Sequence, residues 1–279
     1  MVRRFLLGLP LLAAACSPAR IAGVLTPRGG SVMREGLAYG PLPRHRLDLV
    51  LPETVTDRTP LVVFFHGGGW TSGGRGDYAF LARTLAAAGI AVAVPDYRLF
   101  PEGRWPDFVE DGARAVAWLR AEMPAQPLFV MGHSAGGFIA AALALDPRWL
   151  SAAGSSRAAL AGGVLLAAPI AWQPDEEPTI SIFANAPGGR IAAVARAEDL
   201  AGAPPMLLLH GADDRVVGPF HALDLARDLR AAGRPVTLQV YPGVEHVGVL
   251  SAMAAPVRAL GLAKAPVFEA VVGFLQPSG

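Results

Sequence analysis

Five short runs limit what this chain can fold into. "LVVFFH" (61–66), "IAVAVPDYR" (90–98), "LFVMG" (128–132), "GGVLLAA" (162–168) and "PMLLLHG" (205–211) are almost wholly apolar in their strand-like cores. A strand with one wet face alternates apolar and polar side chains, whereas a strand apolar at every position is covered on both faces. Between these runs lie stretches with helical spacing: 78–89, 107–122, 134–145 and 219–233. Gly89 and Gly233 stand where helix C-terminal caps belong. Further strands are expected at 46–51 and 236–242, and a last helix at 265–275. Strands alternating with helices predict an α/β fold, with a mostly parallel central sheet and helices on both faces. The stretch 170–204, with "QPDEEPT" and "NAPGG", is the least regular, and a loop of that length is expected to be functional or a lid.

The 279 residues suit a single domain, and no internal repeat interrupts them. A net charge of +1 with scattered Lys and Arg gives no footprint for nucleic acid. One cysteine, Cys16, rules out an intramolecular disulfide and a cysteine-based metal centre. Its surroundings, "MVRRFLLGLPLLAAAC", run from two arginines through a short apolar core to small residues, the layout of a secretory signal. "LAAAC" also resembles a bacterial lipobox, with Ala13 where that motif usually has leucine. The competing reading is an ordinary signal cut near Ala15. The expected organisation is a signal peptide with lipobox (1–16), a tether (17–35) rich in Pro, Gly, Ser and Arg, and a catalytic domain (36–279). The chain is accordingly expected to be exported, periplasmic or anchored to a membrane by lipid on Cys16, with no other membrane contact.

In an open α/β sheet, ligands gather at the carboxyl ends of the strands. Four polar groups fall there: "HGGGW" (66–70), His133 with Ser134, "HGADDRVV" (210–217) and "YPGVEH" (241–246). Together they supply a hydroxyl, a carboxylate, an imidazole and exposed backbone amides, the parts that acyl transfer requires. Gly-x-Ser-x-Gly at 132–136 arises by chance in about one such chain in eight, but a strand before and a helix after are what a nucleophile elbow needs. Ser134 is therefore the candidate nucleophile. Gly68 and Gly69, with the amide of Ala135, are candidate oxyanion donors, one such donor being worth about 10²–10³ in turnover. His66 precedes the serine and is expected to be structural. For the base, His246 in a glycine-containing loop is preferred over His221, which is expected to cap or decorate its helix. For the acid, Asp214 with Val217 packed behind it is preferred over Asp213. Asp96, Asp107 and Asp111 are expected to be structural. Trp70, Trp172 and Phe183 are candidate walls of a substrate pocket, with core packing as the competing reading.

"HGGGW", "VPDYRLFPEGRWPDFVEDGARAVAWLR", "GHSAGG", "LLLHGADDRVV" and "YPGVEH" occur in that order across 61–250. In this the chain resembles the α/β-hydrolase superfamily, on the serine esterase branch of hormone-sensitive-lipase-like, feruloyl/acetyl-xylan-esterase-like and arylformamidase-like enzymes. His133 stands where the hormone-sensitive-lipase-like group carries aspartate, which favours the smaller esterases. The resemblance implies a Ser134–Asp214–His246 triad, a minimal cap, a carboxylic ester as small-molecule substrate, and neither metal nor organic cofactor. It also gives "DYRLFPE" a structural role, with Arg98 and Glu102 making polar contacts beneath the site. Two rival functions stay open: an arylformamidase or other amidase using the same triad, and a non-catalytic binding protein of the same fold.

Overall fold

The computed structural model describes residues 26, 29–193 and 197–276. The expected signal segment, Cys16 and most of the expected tether lie outside the described residues. The strands are β1 (Val32–Ala38), β2 (Arg46–Leu51), β3 (Leu61–Phe65), β4 (Ala91–Pro95), β5 (Leu128–His133), β6 (Leu160–Leu166), β7 (Ala171–Trp172), β8 (Ile191–Ala192), β9 (Met206–Gly211) and β10 (Val236–Tyr241). The helices are α1 (Ala79–Ala87), α2 (Asp107–Glu122), α3 (Ala135–Leu145), α4 (Pro147–Ala152), α5 (Thr179–Ile182), α6 (Phe220–Ala231), α7 (His246–Ser251), α8 (Ala255–Ala259) and α9 (Val267–Leu275).

Eight strands form one sheet in the order β1-β2-β4-β3-β5-β6-β9-β10. From β4 to β10 every neighbour is parallel, while β1 and β2 add on antiparallel at one edge. The period of two along β3 explains its uniform burial. Leu61, Val63 and Phe65 face a core built with α2, α3 and α6, and Val62 and Phe64 face a second core built with α1, α7 and α9. Gly89 and Gly233 both take positive φ just past their helices, closing α1 and α6 as expected.

Three features depart from the sequence reading. β1 begins at Val32, inside the stretch read as tether, because its residues pair with β2 through an irregular register. The 170–204 segment is not featureless: β7 and β8 pair as a small antiparallel ladder, and α5 lies between them. Glu102 is exposed and makes no polar contact among the described residues, so only Arg98 does what the "DYRLFPE" motif suggested.

Arg98 and His45 converge on one buried carboxylate. Asp111 accepts from Arg98 Nη2 at 2.7 Å, from the Arg98 amide at 2.9 Å and from His45 Nε2 at 2.9 Å. This contact ties the turn before β2, the turn after β4 and α2 together. Removing one member of a buried charged cluster strands the others without partners. Asp111→Ala is therefore expected to lower the unfolding free energy by about 3 kcal/mol. Urea titration of the variant checks this, and an unchanged midpoint would contradict it.

Candidate active site

The turn from β5 into α3 places Ser134 in a conformation few side chains adopt, φ 53° and ψ −123°. Its neighbours explain why the turn is glycine-rich. A Cβ on Gly132 would lie 2.2 Å from the Gly136 carbonyl oxygen, and one on Gly136 would lie 2.1 Å from that of Phe65. Each is a clash with backbone that cannot move aside. The Ser134 amide donates to the Leu166 carbonyl at 3.0 Å and its carbonyl accepts from the Phe138 amide at 3.1 Å, pinning both sides of the turn. The half-buried hydroxyl has no hydrogen-bond partner among the described residues. Such bonds commonly tighten only when substrate binds.

Gly67 packs against this turn, its Cβ position 3.4 Å from Ser134 Cβ. Its amide is taken by the Tyr78 hydroxyl at 3.1 Å. The Gly68 carbonyl turns away, accepting from the amides of Thr71 and Ser72 at 3.0 and 3.1 Å. Gly68 (φ 123°) and Gly69 (φ 59°) are exposed, and their amides and that of Ala135 carry no hydrogen bond among the described residues. The loop is held by Arg44 and Arg75, which the sequence did not single out, and by Asp96, which it read as structural. Arg44 donates to the carbonyls of Gly73 (3.1 Å) and Tyr97 (2.6 Å), while the Arg75 amide donates to Asp96 at 2.7 Å. His66 is structural, as expected: its ring stacks on Tyr97 with centroids 4.3 Å apart, and its Nδ1 donates to the Gly67 carbonyl at 2.8 Å.

Asp214 Oδ2 lies 2.7 Å from His246 Nδ1, while Oδ1 accepts from the amides of Val216 (2.9 Å) and Val217 (2.8 Å). A carboxylate only accepts, so the shared proton sits on Nδ1 and Nε2 keeps its lone pair. His246 stands at the first position of α7 rather than in a free loop, so its backbone is fixed. Asp213 is exposed and apart from this pair. His221 is not a surface cap: it is buried, and its Nδ1 accepts from the Ile170 amide at 3.3 Å. His210 was missed. It sits 3.3 Å from Asp214 Oδ2 and donates to the Val217 carbonyl at 2.8 Å, bracing the loop that carries the acid. His210 lies on β9 and Asp214 in the loop beyond it, so their spacing of four carries no helical meaning and no local signal marks the contact.

Trp70, Trp172 and Phe183 come together. Trp70 stacks on Trp172 at 5.8 Å and meets Phe183 edge-on at 4.9 Å, with Phe108 and Phe138 completing the cluster. Trp70 and Phe183 are buried as core, and Trp172 alone of the three keeps substantial surface in solvent.

A hydroxyl on a strained strand-to-helix turn, an adjoining loop of unpaired amides and an acid–imidazole pair are the elements of a nucleophile-elbow hydrolase site. The family comparison agrees. The chain belongs to the α/β-hydrolase fold family, whose model matches residues 62–250. It is 31% identical over 237 residues to a probable isoprenylcysteine alpha-carbonyl methylesterase of Oryza sativa, covering 76% of this chain and 57% of that protein. It is 40% identical over 99 residues to carboxylesterase NlhH of Mycobacterium tuberculosis, covering 33% of this chain and 31% of that one. Among solved structures, a thermostable esterase from Pseudomonas putida matches with TM-score 0.67 and 25% identity, over 93% of this chain and 89% of that chain. The matched region thus spans little more than half the length of the methylesterase.

The charge state of the site follows from burial. Asp214 is raised by burial, but hydrogen bonds from the Val217 amide, His246 and the Val216 amide outweigh it and hold the carboxyl below its usual range. Burial pushes His133 down to about 3, helped by the neighbouring His246, and pushes His66 down to about 4 against the hydrogen bond to the Gly67 carbonyl. A histidine lowered by folding binds its proton in the unfolded chain first. Between the ordinary histidine value and these folded values, the unfolded state holds more protons and stability falls as pH is lowered. We expect the unfolding free energy to drop from pH 7 to pH 5 by up to about 1.4 kcal/mol per pH unit for each such histidine. His66→Phe should flatten that slope by about one proton. Denaturant melts at several pH values check this, and equal slopes in wild type and variant would contradict it.

Proposed function

We propose that the protein is a serine carboxylesterase that works through an acyl-enzyme on Ser134. The observation that carries this reading is the 2.7 Å Asp214–His246 pair, set beside the strained serine turn. The names of the relatives, a methylesterase and a carboxylesterase, support a carboxylic ester as the bond cleaved.

In this mechanism Ser134 Oγ attacks the ester carbonyl carbon while His246 Nε2 takes its proton. The negative charge that develops on the carbonyl oxygen is held by the amides of Gly68, Gly69 and Ala135. Asp214 keeps the proton on Nδ1 and stabilises the imidazolium. Collapse of the intermediate breaks the bond to the alkoxy oxygen, which leaves as alcohol with the proton from His246. Water then attacks the acyl-enzyme, giving its proton to His246, and the carboxylic acid departs as Ser134 Oγ is reprotonated.

A fluorophosphonate probe and a panel of acyl esters, run beside N-formyl aromatic amines, test the proposal. We expect labelling of the wild type, ester turnover exceeding formamide turnover, and for Ser134→Ala no labelling and a loss in kcat of about 10⁴ or more. Retained ester turnover in Ser134→Ala would overturn the role of the serine. Preferred cleavage of formamides would reassign the enzyme as an amidase, and a folded wild type that neither labels nor turns over would be a binding protein.

A further inference from the structure

His133 is the residue of the site that the acyl-transfer chemistry does not use. It is 5% exposed and wedged between two parts of that chemistry, the base and the glycine loop. On one side its Nε2 donates to the His246 carbonyl at 3.2 Å, and the two imidazole rings lie 4.8 Å apart. On the other, its Nδ1 lies 3.0 Å from where a Cβ on Gly67 would stand, at the start of the glycine loop. Since Nε2 is the donor, Nδ1 is the bare nitrogen, and it is buried without a hydrogen-bond partner. A protonated ring would therefore bury an unpaired N–H beside a second imidazole.

We propose that His133 is a positioning residue which, as a neutral spacer, fixes the start of α7 relative to the nucleophile turn and keeps charge away from His246. This inference rests on the acyl-transfer reading of the site. The direction in which burial moves His133 agrees with the geometry, since a group held at about 3 is uncharged wherever the base is active. The other titratable groups packed here are Asp214 on the loop after β9, which pairs with His246, and His210 on β9, which faces Asp214. His66, on the loop after β3, has its ring against Tyr97, and Glu245, preceding His246, is exposed. Asp214 is thus the one carboxylate these contacts place on His246. A second carboxylate at 133 would favour the protonated base, since an opposite charge within about 4–6 Å raises an imidazole by about one unit or more.

Three variants test this. NMR titration of the His246 imidazole is expected to give the same midpoint in His133→Asn as in wild type. In His133→Asp it should give a midpoint about one unit higher, with the acid limb of kcat/KM moving the same way. His133→Phe keeps the ring but loses the donor, and we expect kcat to fall about tenfold with KM little changed. Coincident His246 titrations in the Asp and Asn variants would overturn the charge-excluding role. Wild-type kcat in the Phe variant would overturn the positioning role, and that measurement stands even if the Asp variant does not fold. The titration is read without turnover, so it reports on His133 even were the esterase reading to fail. Loss of that reading would appear separately, as wild-type turnover that survives Ser134→Ala.

Discussion

Ser134 is held at φ 53° and ψ −123°, a backbone state that costs on the order of 1–3 kcal/mol for a residue with a Cβ. Everything around it makes that state the only one available. The parallel sheet delivers β5 into the turn, α3 starts at once, and the absence of side chains at 132 and 136 lets the two segments meet backbone to backbone. The β3 end supplies the Phe65 carbonyl that Gly136 packs against, so the glycine loop and the serine turn share one contact surface. Relaxing the turn would require β3, β5 and α3 to separate, which the two cores on either face of the sheet prevent. The hydroxyl is thereby presented at a fixed point before any substrate arrives.

Around this point the protein arranges charge sparingly. His66, His133, His210 and His221 are all lowered by burial, and the buried carboxylate at the base, Asp214, is satisfied by two amides as well as by His246. Coulomb interactions are strong in such a medium, so a stray charge near the imidazole would compete directly with the acid. The ion pairs of Arg98 with Asp111 and of Arg75 with Asp48 and Asp96 involve none of these site residues and tie loops to the sheet. Structural charge and chemical charge are kept on separate residues.

The parallel strands could be read from the sequence because their burial on both faces leaves an unbroken apolar signature, and the long helices because of their period. Ser134, the glycine loop, Asp214 and His246 were legible because each follows a strand end, which topology alone brings to one edge. What escaped was set by contacts distant in sequence. β1 carries Arg34 and Glu35 on an exposed edge and looks like linker until β2 pairs with it. α7 is too short for a periodic signal, so His246 looked like a loop residue. His210 and Arg44 act through partners 4 and up to 53 residues away, and no local pattern announces such a bond. Trp70, Trp172 and Phe183 do touch one another, but whether an aromatic lines a pocket or fills a core depends on packing that spacing does not encode.

The central claim is that Ser134 Oγ carries the acyl group during turnover. Acid-quenching the wild-type enzyme within milliseconds of mixing with a slow-deacylating ester, followed by peptide mass spectrometry, measures this directly. The account predicts the mass of one acyl group on the peptide containing Ser134, located on that residue by fragmentation and gone after longer incubation. Ester hydrolysis proceeding with that peptide unmodified throughout, or with the acyl group on another side chain, would contradict it.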